Sequence, residues 1–184
     1  GCVARDTIVA GGRQAADPHE HGSGPLRRGE PIVIDIFPQH KQHGYWGDLT
    51  RTVARGPVAP EVERLYQAVR AAQRAALAQV RPRVKCATVH AAAVETFQQY
   101  GYETCLRNGQ PVGFIHSTGH GVGLSIQEGP SVAPVDTRLR TGNVITIEPG
   151  LYDPDLGGVR IEDTVVVTPG GWRYLAPCEK KLAV

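Results

Sequence analysis

The sequence predicts an α+β domain in which helices cover one face of an antiparallel sheet. Three observations predict it: a nearly continuous apolar run in the first fifth of the chain, an Ala-rich central stretch with helical periodicity, and a return to β-rich segments in the last quarter. The first strand is Thr7-Ile8-Val9-Ala10, stopped by Gly11-Gly12. Residues 31–37 (PIVIDIF) have the apolar continuity of a strand buried on both faces. Gly44-Tyr45-Trp46-Gly47 turns the chain, and residues 48–54 return as the second arm of a hairpin. Pro60 suits a helix start, and Val62, Leu65, Val69, Ala72, Ala76 and Val80 recur at helical spacing until Arg81-Pro82-Arg83 breaks the pattern. Thr88 is the expected cap of a second helix, with Val89, Ala92, Ala93 and Phe97 on its inner face and Gly101 at its end. Residues 144–147, 159–167 and 172–176 complete the strands.

A chain of 184 residues is long enough for one well-buried core, with no internal repeat or low-complexity tract. Its composition, 41% hydrophobic and 21% charged, is that of an ordinary globular domain. A net charge of +2 without any Lys/Arg run argues against nucleic acid as a partner. Nothing approaches the ~20 apolar residues of a membrane helix, so no membrane role is expected. Cys2, Cys86, Cys105 and Cys178 are scattered and form no C-x-x-C pair, which reads as reduced thiols in a cytoplasmic protein. The chain lacks Met and opens almost directly into a strand, so it reads as the later part of a longer polypeptide.

Asp35 lies inside an apolar strand, where a buried charge must be paired or bound to a metal. Asp48 lies across the hairpin, close enough for both carboxylates to face one point. Glu148 ends the apolar run Val144-Ile-Thr-Ile147, and Glu162 sits inside residues 159–167. His120 occupies a loop of small residues (Ser117-Thr-Gly-His-Gly-Val-Gly123), where glycine permits close approach of backbone or substrate. Asp163, next to Glu162, reads as a surface acid. Four carboxylates and one imidazole suit hard cations. Two dications balance the four negative charges, where one would leave two uncompensated. Mn²⁺, Co²⁺ or Fe²⁺ suit this set at least as well as Zn²⁺, and no cysteine cluster marks a structural zinc.

Taken together, Asp35…Asp48-Leu-Thr-Arg-Thr52, Ser117-Thr-Gly-His-Gly-Val-Gly-Leu124, Ile147-Glu-Pro-Gly-Leu-Tyr152 and Val159-Arg-Ile-Glu-Asp-Thr164 resemble the metallopeptidases of the pita-bread fold. That family holds Xaa-Pro aminopeptidases, prolidases and methionine aminopeptidases. The segments stand in the family's order, and the Glu-Pro-Gly-Leu-Tyr and Arg-Ile-Glu-Asp forms are similar to its proline-directed branch. The resemblance implies that Asp35, Asp48, His120, Glu148 and Glu162 hold two divalent ions, Mn or Co ahead of Zn or Fe. It also implies hydrolysis next to proline by a metal-activated hydroxide, in a dipeptidase or aminopeptidase acting on proline-containing peptides, with Glu148 doubling as a proton shuttle. His116 resembles a substrate-contacting His of the branch, and His19 resembles the His that precedes the first ligand strand, with His21 competing. Arg160 is expected to position substrate or to pair with a neighbouring carboxylate. Residues 1–184 are expected to be a partial C-terminal catalytic domain without its N-terminal domain and N-terminal helices, and the protein is expected to be a homodimer.

The sequence departs from the family at three places. Gln127-Glu128 stands where the family has His-Glu; glutamine can donate a hydrogen bond to a developing oxyanion but cannot carry a proton. Weakened peptidase activity, or a catalytically weakened binding module, is the alternative this raises. Twelve residues separate Asp35 from Asp48, two more than the family pattern, within Pro38-Gln-His-Lys-Gln-His43. No helices precede the Ile8 strand. A metal-free creatinase-like hydrolase is a third reading, under which the four ligand-position carboxylates have no purpose.

Overall fold

The computed structural model describes residues 1–184. Strands β1 (Cys2–Ala4) and β2 (Ile8–Gly11) lead into a 3-10 turn over Gly12–Ala16, followed by β3 (Ile32–Ile36), β4 (Pro38–His40) and β5 (Leu49–Val53). Helices α1 (Pro60–Gln79) and α2 (Cys86–Gln99) follow. The chain then forms β6 (Cys105–Arg107), β7 (Gln110–Val112), β8 (Gly119–Gly121), β9 (Glu128–Val132), β10 (Val144–Ile147), β11 (Gly150–Asp153), β12 (Gly157–Arg160), β13 (Asp163–Thr168) and β14 (Gly171–Tyr174). Every pairing between these strands is antiparallel. The expected α+β pita-bread architecture is the one observed: a five-stranded sheet in the order β14-β13-β10-β8-β9, a three-stranded sheet β2-β3-β5, and helices α1 and α2 packed against β9, β10 and the β11–β12 pair. No helix is long and apolar enough to cross a membrane.

The helices form where the periodicity places them. Pro60 occupies the first turn of α1 with Glu61 and Glu63, whose charges favour the positive helix end, and all six apolar positions of the expected stripe are buried. That stripe meets α2, β10, β11 and β12 in one continuous core containing Leu65, Val69, Val89, Phe97, Ile145 and Ile161. Within α2, Thr88 is not the cap: the helix begins at Cys86, Lys85 holds the cap position without a side-chain bond, and Ala92 is only half-buried. The buried Cys86 thiol supplies apolar bulk that starts the helix against the core.

Three strand expectations are corrected. Residues 31–37 are not buried on both faces throughout; Ile32 and Val33 are buried, whereas Asp35 is half-buried where β3 lines a cavity, and Ile36, on the other face of the strand, is 38% exposed. His120 is not in a loop but in β8, bridging β9 and β10. Residues 159–167 are not one strand. The chain leaves β12 at Arg160, crosses Ile161-Glu162 without strand pairing, and enters β13 in a different sheet. Asp163 is not a surface acid: it is 1% exposed and salt-bridged to Arg51 (2.6 Å) and Lys180 (2.6 Å). All four cysteines are unpaired.

Candidate metal centre

A cavity of about 320 Å³ opens where the two larger sheets meet. Asp35, Asp48, His120, Glu148 and Glu162 all line it, as do His19, His21, His116, Gln127 and Arg160. The five candidate ligands come from five segments. Asp35 is on β3 opposite Thr50 of β5, and Asp48 immediately precedes β5. His120 is the centre of β8, Glu148 follows β10, and Glu162 lies in the break between β12 and β13. Glycine on both sides of His120 is a packing requirement: a Cβ at Gly119 would sit 2.0 Å from the Thr146 carbonyl oxygen, and one at Gly121 would sit 2.4 Å from that of Gly129.

Ligand atoms of Asp48, His120 and Glu162 lie within 4.8 Å of one another. His120 Nε2 is 3.3 Å from Glu148 Oε1 and 3.7 Å from Asp48 Oδ2. Because Nδ1 of His120 faces the Gly121 carbonyl at 3.0 Å, Nδ1 carries the proton and Nε2 presents its lone pair to the carboxylates. Neighbouring groups fix one oxygen of three of the acids. Arg160 Nη2 donates to Asp35 Oδ2 (2.8 Å), Thr50 Oγ1 donates to Glu162 Oε2 (2.6 Å), and Thr146 Oγ1 donates to Glu148 Oε1 (3.0 Å). The second oxygen of Asp35 is buried with no hydrogen-bond partner.

Electrostatics oppose this cluster unless something compensates it. Burial, then the charges of Asp35 and Glu148, push the Asp48 carboxyl up to about 8. Burial raises Glu148 as well, and burial reinforced by the Glu148, Asp48 and Asp35 charges raises Glu162 well above the carboxylate range. A divalent cation fits this donor set: it would satisfy the orphaned Asp35 oxygen, use the unprotonated His120 nitrogen, and replace mutual repulsion with attraction.

The wall beside the acids joins a neutral histidine to a buried arginine through one tyrosine hydroxyl. His116 Nδ1 donates to the Ser117 carbonyl (2.7 Å), so Nε2 accepts from the Tyr152 hydroxyl (2.8 Å), whose oxygen in turn accepts from Arg160 Nη1 (2.9 Å). Burial lowers the His116 pKa to about 4, consistent with this neutral tautomer. Burial also pushes Tyr152 up to about 12. Arg160 is 3% exposed; burial disfavours its charge, but the Tyr152 oxygen and Asp35 outweigh that.

Several contributors were not singled out in the sequence. Thr50 and Thr146 each contact a candidate ligand, Tyr152 links Arg160 to His116, and His90 on α2 meets Thr118 Oγ1 at 2.9 Å behind the β8 segment. Gln73 of α1 sends Nε2 to the carbonyls of Ile147 (3.1 Å) and Ile161 (3.2 Å), the residues just before Glu148 and Glu162. Only the buried amide on an otherwise apolar helix face offered a signal for any of them.

Comparison with known proteins agrees with this geometry. Residues 1–169 match metallopeptidase family M24. An Xaa-Pro dipeptidase of Pyrococcus furiosus is 40% identical over 181 residues, covering 97% of this chain and 49% of that protein. An Xaa-Pro dipeptidase of Lactobacillus delbrueckii subsp. lactis is 35% identical over 181 residues, covering 97% and 46%. The crystal structure of a prolidase from Pyrococcus horikoshii superposes with a TM-score of 0.87 at 39% identity, covering 97% of this chain and 49% of that one. The dipeptidase PepE of Mycobacterium ulcerans gives 0.89 at 37% identity, covering 99% and 47%. The chain thus spans about half the length of the relatives it matches. With residues 1–169 matched and the fold shared, this chain belongs to metallopeptidase family M24.

Proposed function

We propose that the protein hydrolyses peptide bonds on the N-terminal side of proline, as an Xaa-Pro dipeptidase or aminopeptidase with two divalent ions held by Asp35, Asp48, His120, Glu148 and Glu162. One observation carries the reading: five segments far apart in sequence bring these side chains to one cavity whose acids repel one another without a cation. The names of the relatives, Xaa-Pro dipeptidase and prolidase, support the substrate class. The retained five-residue set weighs against a purely binding role. The four unpaired cysteines support a cytoplasmic location.

Bound divalent ions, Mn or Co by preference, would supply Lewis acidity and an activated water. The chain's own residues do the rest. Thr50, Thr146 and Arg160 orient the carboxylates before any ion arrives, which lowers the reorganisation needed at binding. Glu148, whose Oε1 accepts from Thr146 Oγ1 at 3.0 Å, would serve as the proton shuttle toward the leaving proline nitrogen. His116 has both ring nitrogens occupied, so it offers substrate a neutral ring face instead of a proton. Proline has no backbone N–H to satisfy once bound, and such a wall suits it. Gln127, exposed on the same cavity, would donate its amide to a developing oxyanion.

The test is hydrolysis of Xaa-Pro and Xaa-Pro-Pro peptides by the protein, as isolated and with added Mn²⁺ or Co²⁺. Metal-stimulated cleavage, lost in Asp48→Ala, is expected. Absence of cleavage by folded, metal-loaded protein would overturn the reading.

A further inference from the structure

Between the α1–α2 turn and the loop that leads into β10 lies a hollow of about 660 Å³ that shares no lining residue with the metal cavity. Arg83, Arg138 and Arg140 line it, and no carboxylate does. The cation next along the chain, Lys85, is matched by Asp136, whereas the side chains of Arg83 and Arg140 make no hydrogen bond or ion pair. Three guanidiniums around one space repel one another as the buried acids of the metal centre do. The compensation they call for is an anion.

The backbone that carries these side chains is held in place. Arg83 has φ +73°, in the left-handed region that residues with a Cβ rarely adopt. Three bonds fix it there: Arg83 N–H donates to the Leu139 carbonyl (2.8 Å), Leu139 N–H to the Val84 carbonyl (2.9 Å), and Arg138 Nη1 to the Arg83 carbonyl (2.8 Å). Leu139, 1% exposed, anchors the chain between the exposed Arg138 and Arg140. Asn143 Oδ1 accepts the Arg140 N–H at 2.8 Å, which leaves its Nδ2 to donate. A strained residue over-determined by its neighbours points to a functional position.

We propose that this hollow binds a small molecule bearing a diphosphate group, with Arg83, Arg138 and Arg140 as its charged partners and Asn143 as a further donor. The guanidinium fork matches phosphate oxygens two at a time. One phosphoryl group carries about −1.5 to −2 at neutral pH, so two are needed to balance three guanidiniums. The volume is that of a small-ligand site, and a recessed site of this kind suits a free ligand over a headgroup in a flat bilayer. The site is independent of the peptidase reading, since none of its residues touches the metal cavity.

The experiment is calorimetric titration of inorganic diphosphate, orthophosphate and sulfate into the full chain and its Arg83→Gly and Arg140→Gln variants at constant ionic strength, with thermal melts alongside. Diphosphate is expected to bind with a Kd below about 1 mM and more tightly than either single anion. Each variant should weaken diphosphate at least about tenfold, the value of one charge-assisted contact. Arg83→Gly should melt no lower than the unsubstituted protein, because glycine adopts the left-handed conformation without strain; Arg140→Gln, at an exposed position, should melt unchanged. Lost binding therefore reports lost charge and not lost fold. Heat from diphosphate removing an ion from the metal centre would be equal in all three proteins, so it is told apart from binding here. Diphosphate affinity that is unaltered in both variants would overturn the proposal, as would sulfate binding as tightly as diphosphate. Capture by phosphoinositide vesicles without binding of free diphosphate would overturn it in favour of a membrane surface.

Discussion

Arg160 Nη2 reaches Asp35 Oδ2 at 2.8 Å, and the other oxygen of that same carboxylate is buried with no partner. One guanidinium thus holds half of a candidate ligand and leaves the other half uncompensated. Replacing Arg160 by Met strands Asp35 inside the protein. Loss of one partner of a buried pair costs about 3–5 kcal/mol, so urea denaturation of the metal-free variant should show a loss of that order. A loss below about 1 kcal/mol would mean that Asp35 is simply protonated when alone.

The cluster sets a pH dependence of stability whose sign is opposite to that of an ordinary salt-bridged acid. Asp48 is held near 8 in the folded, metal-free protein, against an ordinary value of 3.8. The folded state therefore binds more protons than the unfolded state between these values, and stability falls as pH rises through that window. Thermal melts of metal-free protein from pH 4 to pH 8 should show this decline, and saturating Mn²⁺ should flatten it. A Tm that climbs steadily to pH 8 without metal would contradict the repulsion.

Metal addition should stabilise the fold through the same residues. At a hundredfold excess over Kd, a ligand binding only the folded state contributes about 2.7 kcal/mol. Asp48→Ala and His120→Ala should each remove most of the Mn²⁺-dependent rise in Tm, and metal analysis after dialysis should find two equivalents in the unsubstituted protein. One equivalent would retire the dinuclear reading.

Gln127 lines the cavity, exposed and without an internal partner. As an oxyanion donor its loss in Gln127→Ala should lower kcat by roughly 10²–10³-fold. Gln127→His should raise turnover and add a pH limb near the imidazole pKa, because histidine can also carry a proton. No gain at any pH would sink the idea that this position limits activity.

Gln73 fastens α1 to the backbone that carries two candidate ligands, and it also donates to Asp163 Oδ2 at 3.0 Å. Gln73→Leu keeps the bulk but leaves buried acceptors unpaired, at a cost of about 1–3 kcal/mol. We expect that loss together with weaker Mn²⁺ binding, read by calorimetry. Lost stability with unaltered metal affinity would make Gln73 a purely structural bond.

Local chemistry was enough for part of this protein. Apolar runs interrupted by single acids, helical periodicity in residues 60–80 and glycines around His120 are short-range patterns. They are legible because strand alternation, helix spacing and steric freedom act within a few residues. The settings of Asp35, Asp48, His120, Glu148 and Glu162 were therefore readable before any coordinates, and the family resemblance joined them with His19, His116 and Gln127 into one expected site. Only the tertiary structure decided what surrounds them. Thr50 meets Glu162 across 112 residues, Gln73 meets Ile161 across 88, and Arg160 meets Asp35 across 125. The break that frees Glu162 from its strand is set by two sheets that diverge after Arg160, and the burial of Asp163 by Arg51 and Lys180 closing over it. No periodicity encodes such contacts, because each depends on where distant elements come to rest in a shared core.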